Sequence, residues 1–150
     1  MFLFVFFTAI LALAQENLSF DEITRRLKED PENKEALTQL ALHYTVEKNY
    51  MKAVDTYFRL IKIDPNNFHA YNNLGILYKK VGQYKDSVFC YQKAIQINPD
   101  YYLVHYNIGL AFESMGRMQE AREAYGRALS LNPDFTQALE RLRELSDGST

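Results

Sequence analysis

Apolar side chains recur at helical spacing through most of this chain. Leu37, Leu40, Ala41 and Tyr44 make one stripe, and Ala53, Tyr57 and Leu60 make a second. The pattern predicts two short amphipathic helices separated by a turn at Lys48-Asn49, with Asn49 expected to take the left-handed conformation that ends the first helix. The same pair of stripes returns twice. Leu40, Leu74 and Ile108 share a register, as do Tyr44, Tyr78 and Phe112, then Ala53, Ser87 and Ala121, then Tyr57, Tyr91 and Tyr125. Before the first stripe, Ser19-Phe20-Asp21-Glu22 reads as a helix start. Ser19 is expected to cap, Glu22 to complete a capping box, and Leu18 to staple against Ile23. That helix is expected to run to about Glu29, stop before Pro31, and present Phe20, Ile23 and Leu27 to the first repeating unit. After the last stripe, 136–146 begins like another unit and stops. Ala138, Leu139, Leu142 and Leu145 form its apolar side, with Glu140, Arg141, Arg143 and Glu144 expected to face water.

The punctuation keeps one period. All four prolines, Pro31, Pro65, Pro99 and Pro133, lie 34 residues apart. Gly75 and Gly109 are separated by the same interval, as are Gly82 and Gly116, with Ala41 and Lys48 in those places one unit earlier. Gly82 and Gly116 suit the turn, because glycine enters the left-handed region without a Cβ penalty. Gly75 and Gly109 lie inside a predicted helix, where glycine costs ~1 kcal/mol relative to Ala. The loss makes sense if the helices of a unit cross closely there, opposite the small residues Ala53, Ser87 and Ala121. A fixed period of this size marks an array of stacked supersecondary units.

In the middle unit Tyr71, Leu74, Gly75, Tyr78, Ser87, Tyr91 and Pro99 resemble the tetratricopeptide repeat pattern W-x₂-L-G-x₂-Y…A-x₃-F…P. Tyr71 stands where that family has Trp, and Ser87 where it has Ala. The resemblance covers 34–135 as three units, 34–67, 68–101 and 102–135. It implies an all-α, right-handed α-solenoid of helix-turn-helix repeats. Residues 15–33 and 136–146 are then cap helices, and 147–150 a tail.

Composition adds little to the fold and narrows the chemistry. A net charge of −2 gives no general attraction to nucleic acid. Lys79, Lys80 and Lys85 form the one local basic cluster, whereas nucleic-acid binding would want a longer basic stripe with base-stacking aromatics. The single cysteine, Cys90, is expected to pack, since one thiol forms no internal disulfide. His43, His69 and His105 fall on different helices, with His43 and His105 expected to pack and His69 at a helix start. No metal-binding, phosphate-loop or nucleophile-elbow motif accompanies them. The expectation is therefore a non-catalytic protein with no cofactor, no metal and no small-molecule substrate.

Residues 1–14, MFLFVFFTAILALA, carry no charged side chain and end in Ala12-Leu13-Ala14. This reads as a signal peptide cleaved after Ala14. A buried helix or a membrane anchor is the alternative, and an uncleaved leader would be the one membrane contact. The expected setting is export to a bacterial periplasm or cell envelope, with the cytoplasm as the alternative.

The resemblance also implies where a partner sits, because the first helix of each unit lines the concave side of such an array. The corresponding positions are Glu35, Thr38, Leu42 and Thr45; then His69, Asn72, Asn73, Ile76 and Lys79; then Leu103, Tyr106, Asn107, Leu110 and Glu113. Their spacing puts each set on one helix face. Apolar residues, amides and few charges suit a protein partner offered as an extended peptide or a helix. Some family members clamp a chaperone's terminal carboxylate with basic groove residues. Asn73 and Asn107 match the amide places, but Thr38, Leu103 and Asn107 occupy the basic ones, which argues against such recognition here. Two alternatives to a scaffold are a docking or regulatory subunit of an enzyme complex and a self-assembling repeat protein.

Overall fold

The computed structural model describes residues 18–147, so the leader reading of 1–14 and the last residues of the tail lie outside it. Among the described residues there are eight helices and no strands: α1 Phe20–Glu29, α2 Lys34–Val46, α3 Tyr50–Ile63, α4 Phe68–Lys80, α5 Tyr84–Ile97, α6 Tyr102–Ser114, α7 Met118–Leu131 and α8 Thr136–Asp147. Helices α2, α4 and α6 have 13 residues each and start at intervals of 34. Helices α3, α5 and α7 have 14 each and keep the same interval. Each helix packs on the next, and α4 also touches α6 directly, so the chain is an all-α solenoid.

Local chemistry explains the ends. Asn33, Asn49 and Asn67 cap α2, α3 and α4, their side chains accepting from Ala36 N, Lys52 N and Ala70 N. The turn inside each unit is a Schellman closure. The amides of Asn49, Gln83 and Arg117 donate to the carbonyls of Tyr44, Tyr78 and Phe112 at 2.8–2.9 Å. The residues before them, Lys48, Gly82 and Gly116, are left-handed at φ 57°, 79° and 74°. This corrects the expectation for the first turn. Lys48, not Asn49, takes the left-handed conformation, and Asn49 at φ −84° caps the following helix. At the other end of each unit, Asp64, Asn98 and Asn132 are held extended ahead of their prolines, at φ −132° to −138°.

The core is built on an aromatic column. Tyr57, Tyr91 and Tyr125 are all at most 1% exposed. Gly75 and Gly109 make room for two of them. A Cβ on Gly75 would lie 2.5 Å from Tyr91 Cε1, and one on Gly109 2.5 Å from Tyr125 Cε1. The close crossing expected at these glycines is real, but a tyrosine ring fills it. Ser87 does sit opposite, donating from Oγ to the Gly75 carbonyl at 2.7 Å. Phe68 meets Tyr101 edge-on at 4.9 Å, and Phe135 meets Tyr102 at 4.9 Å and Tyr106 at 5.0 Å, so in each of the last two units an aromatic contact ties the first helix to the end of the same unit. Cys90 is buried among the core side chains, as its sequence context indicates. His105 is also buried, and its Nε2 lies 2.7 Å from the Pro99 carbonyl oxygen, fixing the loop between α5 and α6.

The terminal helices differ from the sequence reading in three details. Ser19 caps α1 through Glu22 N at 3.2 Å, but the Glu22 carboxylate binds Arg25 and Arg26 instead of closing a capping box. Those two guanidiniums hold its carboxyl down at about 2. In α8, Arg141 keeps only about a third of its side chain exposed to water. It reaches across to Glu113 on α6, while Leu139 is exposed. Tertiary ion pairing outcompetes solvation for Arg141, because Glu113 lies one helix away and is itself sheltered.

Candidate functional site

The candidate groove is the face presented by α2, α4 and α6. Most of its side chains are half-buried; Leu42, at 40%, is the most open apolar one, and His69 and Glu35 are exposed. Several are already engaged. Thr38 and Thr45 donate their hydroxyls back to Lys34 O and Ala41 O, both at 2.8 Å. Glu35 accepts from Arg26 of α1 at 3.0 Å. His69 rests edge-on against Phe68, ring centres 4.7 Å apart.

The amides act as cross-links between neighbouring helices. Asn73 donates from Nδ2 to the Tyr57 hydroxyl at 3.0 Å, which leaves its Oδ1 for other use. Burial pushes the Tyr57 hydroxyl up to about 12, so it stays protonated. Asn107 donates to Asn72 Oδ1 at 3.4 Å, joining α6 to α4. Tyr106 packs on Tyr125 and Phe135, and burial raises its hydroxyl. Asn73 and Tyr106 therefore support the fold as well as line the groove, while Ile76 and Leu103 pack at the edge of the core.

The structure gathers Lys79, Leu110 and Glu113 around one open cavity of about 270 Å³, together with Tyr84, Ser114 and Arg141. Glu113 accepts from the Tyr125 hydroxyl at 2.7 Å and from Arg141 Nε at 3.2 Å, with Arg141 Nη2 on its second oxygen. Arg141 also pairs with Glu144 at 2.6 Å. Desolvation lowers the pKa of half-buried Lys79. Sequence reasoning missed Arg141 as a groove residue, although a signal was present. Arg141 lies 34 residues after Asn107, which lies 34 after Asn73, so the three share one register. Reading α8 as a solvating cap hid it.

Other hollows lie away from this face. An apolar one of about 370 Å³, lined by Tyr50, Met51, Val54, Leu77, Tyr78 and Val81 among others, opens near the turn between α4 and α5. Two of about 510 and 520 Å³ repeat with the loops at Pro65 and Pro31. Among the described residues, no group of three or more His, Cys, Asp or Glu is placed to hold a metal ion. No helix among them is long and apolar enough to cross a membrane.

The family profile described as tetratricopeptide repeat matches 69–101 and 102–135, and a second profile, described as TPR repeat, matches 43–82. A comparison with curated protein sequences returned no match. Among solved structures, a crystal structure of MamA superposes with a TM-score of 0.80 at 27% identity, covering 85% of this chain and 75% of that one. A second MamA structure gives a TM-score of 0.78 at 27% identity, over 85% and 70%. The first TPR of Spaghetti (RPAP3), solved with the HSP90 peptide SRMEEVD, gives 0.74 at 24% identity, over 79% and 94%. That last likeness concerns the fold alone.

Proposed function

Because this chain belongs to the tetratricopeptide repeat family, we propose that it is a non-catalytic scaffold that holds a peptide or helix of a protein partner against α2, α4 and α6. The observation that carries this reading is the makeup of that face: half-exposed Leu42, Ile76, Leu103 and Leu110 interleaved with Asn72, Asn73 and Asn107. Apolar side chains offer area to a partner's side chains, and amides suit its backbone. The TPR of Spaghetti, of similar fold, was solved with a bound peptide. A chaperone tail is not the partner expected here, because Thr38, Leu103 and Asn107 stand where a carboxylate clamp needs cations. Nucleic acid, small-molecule substrates and cofactors have no counterpart in this chemistry.

The test is selection from a displayed library of short random peptides, followed by methyl NMR of the protein with the best binder. Shifts concentrated at Leu42, Ile76, Leu103 and Leu110 support the groove. Shifts confined to Met51 and Val54 would move the site to the outer helices.

One observation favours a second reading. Met51, Phe58 and Phe89 are at least half exposed on α3 and α5. Self-assembly through that side predicts a scattering mass that rises with concentration and falls back with Phe58→Ser/Phe89→Ser.

We also propose export to a bacterial periplasm or envelope, which rests on residues 1–14 alone. An intact mass beginning at Gln15 in an envelope fraction supports it. A soluble cytoplasmic species beginning at Met1 would overturn it.

A further inference from the structure

The turn-side rim of the groove holds a charge that its neighbours leave unmatched. Lys79 lines the 270 Å³ cavity from the last turn of α4. Among the described residues no carboxylate lies within ion-pair distance of it. The other cation there is matched, since Arg141 covers both oxygens of Glu113 and also pairs with Glu144. The lining itself, Lys79 and Arg141 against Glu113, carries one net positive charge, which the exposed Glu144 outside it offsets in part through Arg141. A lysine near a helix C-terminus also answers the helix dipole. The neighbouring Lys80 does that from an exposed position, whereas Lys79 gives up part of its hydration to face the cavity. Burying half of a lysine without a partner disfavours its charged form, and an incoming anion reverses the loss.

Of the groove positions on α2, α4 and α6, Lys79 alone is a lysine or arginine, so an acidic group on a partner has one address. We propose that this cavity is an acidic-residue subsite, taking an Asp or Glu side chain of an extended partner peptide onto Lys79, with the side chain's methylenes on Leu110. The inference rests on the groove reading above and names the partner chemistry of that surface. The cavity is open to solvent at the groove rim. The occupant proposed is a side chain of a peptide that continues on both sides, not a chain terminus.

The test uses the full chain and a library of random peptides displayed as internal segments with no free C-terminus. Wild type is expected to enrich one acidic position at a fixed distance from an apolar one. The best peptide, synthesised with both ends capped, is expected to bind at least about tenfold tighter than its Glu→Gln or Asp→Asn counterpart, the scale of a charge-assisted hydrogen bond. In Lys79→Met, which keeps the apolar stem and the helix, the two peptides are expected to bind alike. Selected peptides with no acid–amide difference in wild type, or the same difference in Lys79→Met, overturn the subsite while leaving the groove reading standing. Acid preference seen only in a library with free C-termini assigns the site to a terminal carboxylate and overturns the proposal. Failure of every library to yield a binder removes the groove reading and the subsite together.

Discussion

Gly75 and Gly126 are both helical glycines, and the structure gives them opposite meanings. At Gly75 a Cβ would meet three Tyr91 ring atoms within 2.8 Å, and that ring is fully buried. Gly75→Ala is therefore expected to lower unfolding free energy by about 1–3 kcal/mol despite its better helix propensity. At Gly126 nothing lies within 4 Å, so Gly126→Ala is expected to raise it by about 0.5–1 kcal/mol. Urea unfolding of the two variants checks both signs; equal effects would mean that the ring moves aside. Cys90 gives a second test at this scale. Burial pushes its thiol from 9.0 up to about 12. The folded state thus holds the proton more tightly, and this contribution to stability is present below pH 9 and falls away as pH rises toward 12. At pH 8 the native thiol is expected to react with a maleimide at least about a hundredfold more slowly than the urea-unfolded chain.

At the scale of the helix, the turns are set by backbone conformation and the caps by side chains. Lys48 carries the left-handed φ of 57° that Gly82 and Gly116 supply elsewhere. A left-handed non-glycine residue costs roughly 1–2 kcal/mol. Lys48→Gly is expected to recover about 1 kcal/mol of this, and Gly82→Ala, with φ 79°, to lose about as much. Thermal unfolding of the two single variants would show the opposite shifts; a loss on Lys48→Gly would mean that the lysine stem packs. This position also shows how far a repeat register can be read. Counting 34 back from Gly82 finds Lys48, yet residue preference points to Asn49, because asparagine visits the left-handed region more readily. The register prevailed because the Schellman hydrogen bonds fix which residue must bend, and Asn49 is already committed as a cap.

At the scale of the molecule, each helix contacts mainly its chain neighbours, so damage should stay local. Arg141 ties α8 to α6 through Glu113, and Arg122 donates to the Leu145 carbonyl at 2.7 Å, tying α8 to α7. Arg141→Met is expected to loosen α8 by about 1 kcal/mol, roughly a fivefold rise in its amide exchange, with little change in α3 to α5. Hydrogen exchange read helix by helix checks this. An increase spread evenly over the array would show that α8 unfolds with the whole.

The amino-acid sequence by itself determined the number and order of the helices, the proline positions, and the registers of Tyr57, Tyr91 and Tyr125. These arise from local rules, helical periodicity and backbone preference, repeated every 34 residues. The family resemblance, not periodicity alone, put Asn72, Asn73 and Asn107 among the groove positions. Only the tertiary structure decided what each of these residues spends its bonding capacity on. Asn73 is bound to Tyr57, Asn107 to Asn72, and Arg141 to Glu113 28 residues away, whereas Lys79 is left facing a cavity. Periodicity tells which side of a helix a residue lies on. Whether that side meets water, an ion or a ring depends on the neighbouring helix, whose distance and offset are set by packing across the whole unit.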